Sequence, residues 1–156
     1  MQDRQAPLDF FVGRAAELAR VAEVFARVET GQPWLVAIEG DPGVGKSSLA
    51  RRCLAEADGL RVLSARAGQA ETDLDFGIVD QLLRTAGAAS PMAALSGANG
   101  SSTSSFSVGA RLLEVVGDLG AVAIVIDDLQ WADRKSVEAL TFMLRRRPGP
   151  PTAAAA

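Results

Sequence analysis

Apolar positions along this 156-residue chain recur with two different periods, and the changes of period predict its elements. Over residues 15–29, Leu18, Val21, Ala22, Phe25 and Val28 keep the i, i+3, i+4, i+7 spacing of one helix face, with Glu17, Arg20, Glu23 and Arg27 largely opposite. Thr30-Gly31-Gln32-Pro33 stops that helix. Trp34-Leu35-Val36-Ala37-Ile38 is a continuous apolar run of strand length, and residues 48–57 return to a helical pattern. Residues 60–65 predict a second strand and 66–73 a polar loop. Residues 74–84 predict a helix entered through Asp75 or Gly77, with Ile78, Leu82 and Leu83 on its apolar side. Residues 86–105 are rich in Ala, Gly, Ser and Thr and are interrupted by Pro91 and Asn99-Gly100. Their low-complexity part, 97–105, predicts a mobile insertion or a lid. Residues 106–119 are helical through Val108, Leu112, Val115 and Leu119. Residues 121–126 are apolar without alternation, the pattern of a strand buried on both faces. A last helix spans 134–147, with Val137, Leu140, Thr141 and Leu144 on one side, Asp133 as candidate cap and Arg145, Arg146 and Arg147 in the last turn, where cations suit the dipole. Strands alternating with helices predict an α/β fold with a mostly parallel sheet.

The junction between the first strand and its helix carries the chemistry. Gly40-Asp41-Pro42-Gly43-Val44-Gly45-Lys46-Ser47, followed by Ser48, fits G-x-x-x-x-G-K-[ST], a phosphate-binding loop in the strand–loop–helix setting that the motif needs. Gly40, Gly43 and Gly45 lack a Cβ, so the backbone can wrap around an anion with its N–H groups turned inward. The following helix adds the partial positive charge of its N-terminus. Lys46 is the candidate to reach the β- and γ-phosphates and Ser47 the candidate Mg²⁺ ligand. Ser48 can add a hydroxyl or N–H near the α-phosphate.

The strand at 121–126 ends in Asp127-Asp128. Parallel strands present their C-terminal ends to a ligand, so Asp127 is a candidate Mg²⁺ holder opposite Ser47, and Asp128 a candidate base for an attacking water.

Composition narrows the chemistry. The chain is 48% hydrophobic and 22% charged, with net charge −3, which is no footprint for DNA or RNA. There is no histidine, which removes His-based acid–base chemistry and His metal sites. The single cysteine, Cys53, has no internal disulfide partner and reads as a small core residue, which makes a reducing cytoplasm the default. Lys46 is one of only two lysines, with Lys135. The N-terminus does not read as a signal peptide, and no apolar run approaches membrane-spanning length. Ser48 stands where a dinucleotide-binding G-x-G-x-x-G needs its third glycine.

Phe11-Val12-Gly13-Arg14 with Glu17-Leu18, the run from Glu39 to Ser47, Asp75-Phe76-Gly77 with Gln81-Leu82-Leu83, and above all Asp127-Asp128-Leu129-Gln130-Trp131-Ala132-Asp133 resemble one known module. This is the AAA-type ATPase module of signal-transduction ATPases with numerous domains, in particular of the large LuxR-type bacterial transcriptional regulators. The resemblance implies ATP and Mg²⁺ as ligands, Val12, Gly13 and Arg14 near the adenine, and slow hydrolysis as a switch controlling self-association. It implies promoter binding by a separate helix-turn-helix domain and assigns no individual role to Gln130, Trp131 or Asp133. It also implies the sheet order 5-1-4-3-2, with a sensor strand and a helical lid beyond the residues present, so the chain reads as a C-terminally truncated module.

The expectation is therefore a P-loop NTPase three-layer α/β/α sandwich with a mostly parallel sheet, incomplete at three predicted strands. A single domain covers 1–147, with 1–30 a lead-in and N-terminal helix and 34–147 the nucleotide-binding core; 148–156 form a disordered tail. Two functions stand: an ATP-hydrolysing switch in a cytoplasmic regulator, or a nucleotide-binding or interaction fragment without turnover. Neither reading has the chain bind nucleic acid directly or enter a membrane.

Overall fold

The computed structural model describes residues 14–29, 36–41, 43–55, 59–89 and 103–146. Val12, Gly13, Pro42, the start of the first expected strand, most of the low-complexity segment and the tail lie outside them. The chain forms two compact units, residues 1–58 with 150–156, and residues 59–149.

In the first unit, α1 (Ala15–Glu29) and α2 (Lys46–Ala55) pack on each other. Leu18, Val21, Phe25 and Val28 are half-buried as the spacing predicts; Ala22 is exposed and Val24 takes its place. Leu49 and Cys53, one turn apart on α2, are buried, so the cysteine is a core residue.

The second unit is built around two parallel strands, β1 (Arg61–Arg66) and β2 (Val122–Asp127), in register from Arg61 beside Val122 to Arg66 beside Asp127. A short 3₁₀ turn, Gln69–Glu71, leads to α3 (Gly77–Thr85); α4 (Ser105–Asp118) precedes β2, and α5 (Arg134–Arg146) closes the unit. The mixed α/β class and parallel sheet expected from the sequence are present, and β1 beside β2 is the 3-2 neighbour pair of the expected order. Of the first expected strand, 34–38, only 36–38 are among the described residues, and these carry no ladder. Its neighbours in that order are the fourth and fifth strands, and the described residues contain neither.

β1 alternates, with Leu63 and Ala65 buried and Arg61, Ser64 and Arg66 exposed. Its backbone explains how the sheet ends on that side. Arg61 N–H and Ala67 N–H donate to carbonyls of the β2 segment, so residues 62, 64 and 66 face the opposite edge. There the Gln81 side-chain amide accepts from Arg66 N–H (2.9 Å) and donates to Arg66 C=O (3.0 Å), and Thr85 Oγ1 donates to Ser64 C=O (3.3 Å). All six residues of β2 are half-buried rather than buried, because β1 flanks one edge and no strand among the described residues flanks the other.

α4 and α5 pack closely on each other. Ser104 caps α4, its Oγ accepting from Ser107 N–H (3.1 Å). Gly109 on α4 lies so near α5 that an added Cβ would sit 2.7 Å from Ala139 C=O and 2.8 Å from Phe142 Cδ1. Gly109→Ala is therefore expected to destabilise by about 1–3 kcal/mol through overpacking, as read by urea denaturation; a change under about 0.5 kcal/mol would show that the pair can separate freely. This approach also decides which face of α5 turns inward. Ser136, Ala139, Leu140 and Met143 are buried, while Val137, Thr141 and Leu144 face out, so of the expected apolar side only Leu140 is core. Both stripes have helical spacing. The small Ala139 fits beside Gly109, and Ser136 can be buried because its Oγ accepts from Val79 N–H (3.2 Å). Arg146 stacks on Phe142, 3.6 Å from the ring centroid, so one of the terminal arginines covers an aromatic face. Ser105 Oγ and Arg134 Nε donate to Glu138 (2.8 and 2.9 Å) and, with the serine bond leading, hold its carboxyl below the ordinary value.

Candidate functional site

The glycine loop lies in the first unit. Gly43 and Gly45 take φ of +85° and +86°, and an added Cβ at either would meet nothing within 4 Å. Glycine is needed there for conformation, not for packing, and the space beside the loop is open. The loop carbonyls are held from several sides. Lys46 Nζ donates to Gly40 C=O (2.8 Å) and Asp41 C=O (3.0 Å); Arg14 Nη2 donates to Val44 C=O (2.7 Å); Leu49 N–H takes Gly45 C=O (2.9 Å) as α2 begins. A peptide whose carbonyl is held on one side turns its N–H to the other. Lys46 thus rests across the loop it opens from, with Ser47 and Ser48 following in the first turn of α2.

The acidic pair lies in the second unit. Asp127 is the last residue of β2, and Asp128 follows in the left-handed region with φ of 56°. A non-glycine residue there costs about 1 kcal/mol or more, and such positions concentrate where a side chain must be aimed. Asp127 Oδ1 accepts from Asp128 N–H (3.2 Å). Asp128 Oδ2 accepts from Arg66 Nε (3.2 Å) and Nη2 (3.1 Å). Arg66 is absent from the sequence-based candidates because the expected strand stopped at 65. The register shows the missing signal: Arg66 pairs with Asp127, so both strands end on charged residues at the same end of the sheet.

Past Asp128, the 3₁₀ turn Leu129–Trp131 leaves Leu129 54% and Trp131 37% exposed. Asp133 then has a structural role beyond the expected cap. It is 4% exposed, and its Oδ1 accepts from Ser136 N–H (2.7 Å), capping α5. The same carboxylate accepts from Phe76 N–H (2.9 Å, Oδ1) and Ile78 N–H (3.4 Å, Oδ2) at the start of α3. Two helix N-termini, each partly positive, share one anion. Lys135 pairs with Asp75 (2.6 Å) beside them. The Asp75-Phe76-Gly77 segment and the end of the acidic run, separate in sequence, are thus one assembly.

The structure brings Arg14 to the glycine loop and Arg66 to the acidic pair. Val12, Gly13 and Pro42 are outside the described residues. Among the described residues no cluster of three or more acidic, Cys or His side chains could hold a metal on its own, and no helix is long and apolar enough to cross a membrane. A family model described as AAA ATPase domain matches residues 11–153. No curated protein and no solved structure matches.

Proposed function

This chain belongs to the AAA ATPase domain family, and on that premise we propose that it binds ATP with Mg²⁺ and hydrolyses it as the switch module of a bacterial signal-transduction regulator of the LuxR type. The observation that carries the reading is the glycine loop, with Gly43 and Gly45 at positive φ, open space beside those two and Lys46 laid across the Gly40 and Asp41 carbonyls. That arrangement fits a phosphate chain: the loop's N–H groups and the α2 N-terminus bind oxygens, and the Lys46 ammonium exchanges two neutral carbonyls for a charged phosphate. Ser47 and Asp127 are the residues that would hold Mg²⁺. The small donor set suits an ion that keeps several waters and takes its other ligands from phosphates. Bound there, Mg²⁺ would neutralise charge on the phosphates. Ser48 would support the α-phosphate, and Val12 and Gly13 the adenosine side. Asp128 would accept the proton of a water whose oxygen bonds to the γ-phosphorus while the bond to the β–γ bridging oxygen breaks, giving ADP and phosphate. Nucleotide state would then govern self-association of a cytoplasmic protein, with DNA read by a domain other than this one.

A second reading, nucleotide binding without turnover, is favoured by one observation. The Asp128 oxygen turned to Arg66 carries two hydrogen bonds from the guanidinium, so the carboxylate is engaged before any water arrives.

Calorimetric titration of the chain with ATP and Mg²⁺, beside Lys46→Ala, tests the common premise. Removing one charged donor is expected to weaken binding roughly 10- to 150-fold. A folded chain that binds no ATP, or a Lys46→Ala variant that binds as tightly, would sink the reading.

A further inference from the structure

We propose that the Arg14 side chain is a positioning residue for the phosphate loop, acting through the Val44–Gly45 peptide rather than on the base. The inference rests on the nucleotide-binding reading above. Arg14 sits at the head of α1, where its C=O accepts from Leu18 N–H (3.1 Å), so its backbone is tied into the helix. Its guanidinium reaches thirty positions along the chain and donates from Nη2 to Val44 C=O at 2.7 Å, a short, charge-assisted bond.

What that bond controls follows from peptide geometry. The Val44 carbonyl and the Gly45 N–H belong to one planar unit and point in opposite directions. Holding the carbonyl toward Arg14 aims the N–H the other way. The need for a hold is local. Gly45 has φ of +86° and open space where a side chain would be, and Val44 is 41% exposed, so neither sterics nor packing fixes the plane of this peptide. Rotated by half a turn, it would present a carbonyl oxygen to an anionic ligand in place of a donor. The other described carbonyls early in the loop, on Gly40 and Asp41, are held by Lys46, the side chain that must leave them to meet a phosphate. Arg14 bonds the loop from outside that exchange, so its hold persists when Lys46 moves. Its effect belongs to the phosphate chain and is independent of the base.

The test separates these. Binding of Mg·ATP and of magnesium tripolyphosphate, which has the phosphates but no nucleoside, is measured by calorimetry for the native chain, Arg14→Ala, Arg14→Lys and Lys46→Ala. Arg14→Ala is expected to weaken both ligands by the same factor, on the order of tenfold. Arg14→Lys, which keeps the charge and loses the planar fork, is expected to weaken both equally and by less. It carries the test alone should the alanine variant lose its far-UV circular dichroism. Loss for ATP with tripolyphosphate unchanged would place Arg14 on the base and overturn the proposal, and so would unchanged binding of both ligands. If instead the native chain binds neither ligand in a Lys46-dependent way, it is the nucleotide-binding reading that fails.

Discussion

Replacing Asp133 with alanine is expected to remove about 3–5 kcal/mol of stability, much of what a domain of this size possesses. The side chain is buried and accepts three backbone N–H groups: Ser136 in its own helix, Phe76 and Ile78 at the start of α3. Alanine leaves all three without that partner in a site that water does not reach, and each unsatisfied donor costs roughly 1–3 kcal/mol, the long Ile78 contact least. The loss spans both helices, because the residue preceding α3, Phe76, lies in the left-handed region and supplies no side-chain cap; Gly77 N–H finds Leu74 C=O, but Ile78 and Val79 N–H take their acceptors from Asp133 and Ser136. Asp133→Asn discriminates. Its one remaining oxygen can keep Ser136 and Phe76, while its NH₂ faces Ile78 N–H, so about 1–2 kcal/mol is expected. Urea denaturation of both variants reads the difference. A loss below about 1 kcal/mol for alanine would mean that the shared cap is not what joins α3 to α5.

Asp128→Asn is expected to spare ATP binding within a factor of about 2–3 and to lower phosphate release roughly 10²- to 10⁴-fold, the usual contribution of a positioned base. Asparagine keeps an oxygen for Arg66 and cannot take the proton of water, so the comparison isolates proton acceptance from the geometry of the loop. Single-turnover release of phosphate is the appropriate measurement, since product departure then does not mask the chemical step. Unchanged release would remove Asp128 from the reaction. Equal, very slow release from both proteins would favour the reading in which the chain holds nucleotide without turning it over. Lost ATP binding would instead make Asp128 part of the ligand-holding set.

What could be read from the chain alone was whatever is set by neighbours in sequence. The glycine loop, its preceding apolar run and its helix are a contiguous signal, and so are the helices whose apolar positions repeat at helical spacing. Asp127 and Asp128 were visible for the same reason, as charges closing an apolar run. What escaped depends on partners far along the chain. α5 carries two stripes of equal spacing, and which one is core is decided by Gly109 and by Val79 N–H, thirty and fifty-seven positions away from the residues they meet. Arg66 became a candidate only once the register placed it beside Asp127. Asp133 was legible as a cap for its own helix and not as the cap for another. The described part of the expected strand, 36–38, has a strand's composition and no ladder, because a strand exists by its neighbour and composition does not supply one.

The Gln81 amide at the edge of β1 makes the sheet a one-way structure. By offering one acceptor and one donor to Arg66, it plays the part of a single residue of a further strand, and Thr85 follows suit at Ser64. A passing β-segment finds Arg66 N–H, Arg66 C=O and Ser64 C=O taken, so pairing along this side is disfavoured at those positions. Growth of the sheet, whether by more of the same polypeptide or by another molecule, is thereby biased toward the β2 side. The direction in which any larger sheet grows would then be biased by a glutamine.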